Sequence, residues 1–435
     1  MPELLDELTE WLRIPSVSAG REDPEALRRA CEWVVERVLD AGGAAEAVET
    51  GGNPLAVGEL RAAAEGAPTV LIYGHYDVQD PGPPERWTAP PFEPEVRDGR
   101  LYARGAADDK GNFLPLLHVA CRLAREGALP VNVRVLVEGD EETGGDAALR
   151  WVDADERGAD CAIAFDSLMV DERTPALTVG ARGTVFCKVS VRVADADLHS
   201  GLYGGAVMNA AHVLHRMLAA VLPGEDGLPP ESLRAGEAPL SEAERDALAD
   251  LPETATALAE AGTQPVAAGV DLHERTGAHA AVELNRFEAG EPRAVVPARA
   301  GATVSLRVAP GQDTGAMARE LERLLRSAAP SGAEVSLDVH TADPALFDPG
   351  SLPLRLAAEA LERACGRAPV PIRLGGTLPI LAALSRRGIP TILSGFVLPE
   401  DRIHGPDESF RLESLALGER SAEALYGALA ALGHN

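Results

Sequence analysis

Basic side chains, aromatics and paired cysteines are all in short supply in this 435-residue chain, and each shortage removes a class of function. Lys and Arg number 40 against 68 Asp and Glu, a net charge of −28. A field of that sign repels phosphate backbones and anionic lipid, so nucleic acid and membrane surfaces are excluded as partners. Trp, Tyr and Phe make up 4 % of the residues, which leaves few platforms on which bases could stack and a core filled by Leu, Val, Ile and Ala. The five cysteines (Cys31, Cys121, Cys161, Cys187 and Cys365) are odd in number, widely spaced and without a C-x-x-C pair, and they read as reduced thiols. Long apolar runs are missing too. The longest uncharged stretch, 198–215, carries three His and three Gly, which no bilayer core accepts cheaply. The opening MPELLDELTEWL is acidic and amphipathic rather than basic and then apolar, so no export signal is read and the expected location is the cytoplasm.

What is present is ordinary globular material, 46 % apolar and 25 % charged, in a chain long enough for two to three domains. Residues 3–13 and 24–41 carry helical periodicity, the second opened by Asp23-Pro24 and closed by Gly42-Gly43. The apolar runs 69–73 and 131–137 read as strands with a helix over 112–125 between them, the pattern of an open α/β sheet whose ligands sit beyond the carboxyl ends of its strands. From Leu177 the texture changes. Strands are expected over 184–193, 300–308 and 334–339, and helices over 206–222 and 314–328, with an acidic insertion at 228–251 outside any core sheet. Helix 352–365 and strand 391–395 restore the first rhythm. The expected fold class is α/β: an open mixed-sheet domain made of 1–183 and 343–435, interrupted by an inserted α+β domain at 184–342.

Chemistry concentrates at the strand ends. His75 and Asp77 in GHYDVQD follow the first strand, and Asp108-Asp109 sit between glycines in ARGAADDKG. Glu138, Asp140, Glu141 and Glu142 crowd the end of the next strand in VEGDEETGG. Asp166 follows the short apolar run 161–165, and His404 lies just past strand 391–395. Singly, these are a surface loop, a helix cap or a solvated acidic turn as readily as a site. Jointly, His75, Asp108, Glu142, Asp166 and His404 offer imidazole and carboxylate donors without a thiolate, a set that suits a pair of zinc ions, or cobalt or manganese, better than a closed structural zinc. Within the acidic cluster, one Glu would hold metal and its neighbour would act as general base.

These motifs, in this order along essentially the whole chain, resemble the dinuclear zinc peptidases: aminoacylases, glutamate carboxypeptidase, succinyl-diaminopimelate desuccinylase and the cytosolic dipeptidases. DLHSGLYGG, residues 197–205, is similar to the lid-domain motif of the non-specific and carnosine-type dipeptidases. The resemblance implies a zinc-peptidase catalytic domain with an inserted lid and dimerisation domain. It implies two divalent metal ions, with Asp108 bridging, His75 and Asp166 on one ion and Glu142 and His404 on the other. Asp77 would orient His75, Glu141 would be the general base, and the Asp108–Asp109 peptide would be cis. His199 looks like the histidine that reaches across a homodimer to polarise the scissile carbonyl, with capping of the helix that follows as the lesser alternative. Arg307 resembles the lid arginine that grips the substrate carboxylate. Gly375-Gly376-Thr377 resembles the carboxylate-binding turn, with Thr where Ser is more usual. Tyr203, Asn209 and His212 are read as structural.

The activity so implied is hydrolysis of dipeptides, or related short substrates with a free carboxylate, by a hydroxide held between the metals with Glu141 moving the proton. The alternatives are an N-acyl amino acid deacylase or carboxypeptidase sharing every ligand, and, from another class, a catalytically silent relative that binds peptide or metal.

Overall fold

The computed structural model describes residues 2–20 and 22–434, apart from the side chains at 260 and 434. Leaving aside short strands of two or three residues, the strands in chain order begin with β1 (Ala44–Val48), β2 (Leu55–Leu60), β3 (Thr69–His75), β4 (Asn132–Glu138), β5 (Cys161–Phe165) and β6 (Ala176–Ala181). Next come β7 (Gly183–Arg192), β8 (Ala281–Ala289), β9 (Arg299–Val308) and β10 (Glu334–Ala342), and later β11 (Thr391–Ser394). The chain divides into two compact units, one of 1–179, 347–371 and 383–435, the other of 180–346 and 372–382.

The first unit is built on a mixed sheet in the order β1-β2-β4-β3-β5-β11-β6. β3 lies parallel to both β4 and β5, and β5 parallel to β11. β3 and β5 are buried along almost their whole length, as central parallel strands covered on both faces must be, and this explains their unbroken apolar sequence. Helix Pro24–Asp40 begins where expected: the Asp23 carboxylate accepts the amide of Ala26 at 3.1 Å and Pro24 fills the first turn. Trp11 stacks on Trp33 with ring centroids 4.9 Å apart, joining the first two helices over the core. Because these strands run parallel, the carboxyl ends of β3, β4 and β5 come to one edge of the sheet. They deliver His75, Glu138 and Asp166 there together.

The second unit holds a four-stranded antiparallel sheet in the order β8-β9-β7-β10. Strand β9 alternates buried and part-exposed residues, so one face packs on helices Ala210–Ala219 and Thr314–Ser327. β9, the second of these helices and β10 form the expected β-α-β unit, with β7 lying between its two strands and antiparallel to both. The acidic stretch 228–251 contributes no strand. Its helix Glu242–Ala247 is opened by a Ser241–Glu244 capping box. Sequence alone leaves 372–382 with the returning segment 343–435, yet this piece clusters with the second unit. Its polar groups explain why. Arg373 pairs with Glu244 at 2.6 Å, and Arg182 donates to the Gly375 carbonyl at 3.0 Å. Among the described residues no helix is long and apolar enough to cross a membrane.

Candidate metal centre

His75 ends β3 and is buried. Its Nδ1 lies 3.0 Å from the Asp77 carbonyl oxygen, nearer than the Asp77 carboxylate at 3.4 Å. A carbonyl only accepts, so Nδ1 carries the proton and Nε2 is the atom turned toward Asp108, 3.1 Å from its Oδ1. Asp77 thus orients the ring chiefly through its backbone. Its carboxylate accepts the Ser18 hydroxyl at 2.6 Å and the Glu142 amide at 3.2 Å, so it also fixes the next acidic turn.

The Asp108–Asp109 peptide is cis. Asp109 occupies the cap position of helix Lys110–Arg125, and its carbonyl accepts the first-turn amides of Asn112 and Phe113, but its side chain makes no capping hydrogen bond. It is buried behind His75, accepting that residue's amide at 3.4 Å. Asp108 faces the other way and divides its oxygens. While Oδ1 meets His75, Oδ2 lies 3.0 Å from Nε2 of His404, which in turn is 3.2 Å from Glu142 Oε2. Two groups result, His75–Asp108–Asp166 and Asp108–Glu142–His404, in each of which one donor atom per residue lies within 4.8 Å of the others.

The four crowded acids after β4 separate by role. Glu138 turns inward to accept the Tyr73 hydroxyl, and desolvation pushes it up to about 7. Asp140 accepts the Asn53 side-chain amide at 2.6 Å. Glu142 receives Gln79 at 2.8 Å and joins the second group. Glu141 belongs to neither group. Desolvation raises its pKa, against the opposing pull of His75 and with the repulsion of Glu142, Asp108 and Asp77.

The electrostatics are those of carboxylates gathered at a site that calls for cations. Desolvation, with repulsion from Asp108, Glu141 and Glu142, drives Asp166 up to about 8. Asp108 moves the other way: loss of water would raise it, but hydrogen bonds from His404 and His75 hold it well below the carboxylate range. His404 rises to about 10 through its bonds to Asp108 and Glu142. Two imidazoles and three carboxylates without a thiolate, one carboxylate presenting an oxygen to each side, fit two borderline divalent cations.

The remaining expected residues lie in the second unit. Arg307 on β9 donates from Nη1 to the Thr377 hydroxyl at 3.1 Å, so these two do come together. At Gly376 a side chain would meet nothing within 4 Å, and sterics alone do not demand glycine there. His199 is exposed, and its Nδ1 accepts the Gly201 amide at 3.1 Å, capping the short helix Ser200–Tyr203. Asn209 likewise caps helix Ala210–Ala219. Sequence reasoning missed Gln79, Ser18 and Asn112. Asn112 accepts the Phe396 amide at 3.0 Å and donates to the Ser167 carbonyl at 3.4 Å, beside Asp166. Gln79 stands inside the GHYDVQD motif and could have been found; Ser18 and Asn112 carry no local signal.

The model of peptidase family M20/M25/M40 matches residues 71–427. The chain is similar to the cysteinylglycine-S-conjugate dipeptidase of Corynebacterium striatum, 27% identical over 439 residues that cover 98% of this chain and 95% of that protein. It is also similar to the Cys-Gly metallodipeptidase dug1 of Schizosaccharomyces pombe, 24% identical over 452 residues, 96% of this chain and 93% of that one. Among solved structures, the M20 family metallo-carboxypeptidase Sso-CP2 from Sulfolobus solfataricus superposes with a TM-score of 0.85 at 24% identity, over 99% of this chain and 100% of its own. Human carnosine dipeptidase 1 does so at 0.77 and 23%, over 99% and 96%. These two likenesses speak for the fold. With the family model covering well over half of its length and two donor groups meeting at Asp108, the chain belongs to peptidase family M20/M25/M40.

Proposed function

We propose that this protein is a cytoplasmic, homodimeric dipeptidase that works with two divalent metal ions, zinc in the first place. The observation that carries the reading is the division of the Asp108 carboxylate, one oxygen toward His75 and the other toward His404. His75, Asp108 and Asp166 would hold one ion, and Asp108, Glu142 and His404 the other. Bound there, the ions supply Lewis acidity, lowering the pKa of water and drawing electron density from the scissile carbonyl.

The chain's own residues do the rest. Glu141, near the ligands but in neither group, takes a proton from the attacking water and returns it to the departing amine. Asp77 holds His75 with Nε2 facing the site. His199 of a second subunit donates to the developing oxyanion, a contribution that typically reaches about 2.7–4 kcal/mol. Arg307, with Thr377 beside it and Gly376 next in the turn, binds the substrate's terminal carboxylate. The curated dipeptidase relatives, similar over nearly the whole chain, favour a dipeptide as substrate.

Metal-stripped protein refilled with zinc, manganese or cobalt tests this when assayed on a Cys-Gly dipeptide beside its C-terminal amide. Hydrolysis is expected to return with metal, and the amide to be about 10- to 150-fold poorer in kcat/KM, the loss of a charge-assisted contact of about 1.5–3 kcal/mol. Equal rates on the two would remove Arg307 from carboxylate binding, and no metal-restored hydrolysis would overturn the activity itself. The dimer is tested by mixing His199→Ala protein with Glu141→Ala protein. Hybrid sites should regain part of the activity, whereas demonstrated subunit exchange without recovery would place His199 outside the partner's site.

A further inference from the structure

Four residues beyond His404, Glu408 is fully buried, a costly place for a carboxylate that binds no substrate. Its oxygens are fully committed. Oε2 accepts Nη1 of Arg104 at 2.6 Å and the Gly105 amide at 3.1 Å; Oε1 accepts the amides of Ala107 at 2.8 Å and Asp108 at 3.1 Å. The Glu408 carbonyl takes the Ala103 amide as well, at 3.1 Å. Residues 103–108 are therefore wrapped around one side chain. The wrap needs glycine: Gly105 has a φ of +84°, and a Cβ on it would stand 2.7 Å from Val78. The arrangement is zipped from behind, because strand Ser409–Arg411 pairs antiparallel with Arg100–Tyr102 directly before the wrapped loop.

Asp108 is thus gripped at both ends. Its backbone amide is bound by Glu408 and its carboxylate by His75 and His404, and Glu408 and His404 belong to one five-residue segment. We propose that Glu408 is a positioning residue for the metal centre, setting the Asp108 carboxylate between the His75 and His404 sides by holding the 103–108 loop to the His404 segment. The inference rests on the two-ion reading above. It implies that Glu408 governs how tightly metal is held and how fast substrate turns over, with little influence on substrate binding, since it touches none of the groups assigned to the substrate.

Glu408→Gln is the sharpest probe. The amide is isosteric, but whichever way it is turned its NH₂ faces two N–H donors, Arg104 and Gly105 or Ala107 and Asp108. Zinc affinity of the stripped protein is measured by competition with a chromophoric chelator, kcat and KM on the dipeptide, and fold by near-UV circular dichroism of the apoprotein. The expected result is a native-like spectrum, zinc affinity lower by about 10- to 100-fold at one ion or both, and a fall in kcat with KM within about threefold. Should Glu408→Gln fail to fold, Glu408→Asp, which keeps the charge opposite Arg104 but shortens the reach, is read by the same measures and the same outcomes. Zinc affinity and kcat both within about threefold of the unaltered protein would overturn the inference alone. Unaltered protein that takes up no divalent metal would overturn the two-ion reading and this inference with it.

Discussion

Glu141→Gln is expected to keep its metal and lose its turnover, with kcat down by about 10²–10⁴ and KM changed little. The geometry supplies both halves of that result. Glu141 contributes no donor to either group around Asp108, so replacing it removes no ligand. The Gln amide fills the same space but cannot carry a proton from water to amine. Desolvation already holds the Glu141 carboxyl above its ordinary range, the direction in which a base becomes strong enough to take that proton. Metal analysis and steady-state kinetics on one preparation check the prediction, and turnover like that of the unaltered protein would remove Glu141 from the mechanism.

Asp108→Ala is expected to do the opposite, losing metal first and activity as a consequence. Without its two oxygens, one group is left with His75 and Asp166 and the other with Glu142 and His404, two donors each. Two donors hold zinc poorly against dialysis. A pair of ions bound there would stabilise the transition state by several kcal/mol through its Lewis acidity, so turnover should fall by about a thousandfold or more. A variant that retains two ions per chain would show that Asp108 does not join them.

The parts of this molecule legible from sequence are those where physics leaves a local trace. Strands β3 and β5 announce themselves because central parallel strands tolerate only apolar residues, and helix Pro24–Asp40 because its cap is written as Asp23-Pro24. The acids and imidazoles at those strand ends stand out because charge at the edge of a buried sheet demands a reason. Strand β8, which is not among the expected strands, leaves no such trace: it lies at the edge of its sheet with six consecutive exposed residues, so no buried face shapes its sequence. Glu408 was equally hidden. A glutamate in HGPDE looks the same whether solvated or buried, and only the folded chain brings Arg104 and three amides to it. The move of 372–382 to the second unit depends in the same way on distant partners, Glu244 and Arg182.

The most direct measurement is anomalous X-ray scattering at the zinc edge from crystals of the stripped and zinc-refilled protein. Two peaks about 3.5–4 Å apart, one beside each oxygen of Asp108, are the expected result. A single peak, or zinc bound only away from Asp108, would contradict the paired-ion centre and the hydrolytic role built on it.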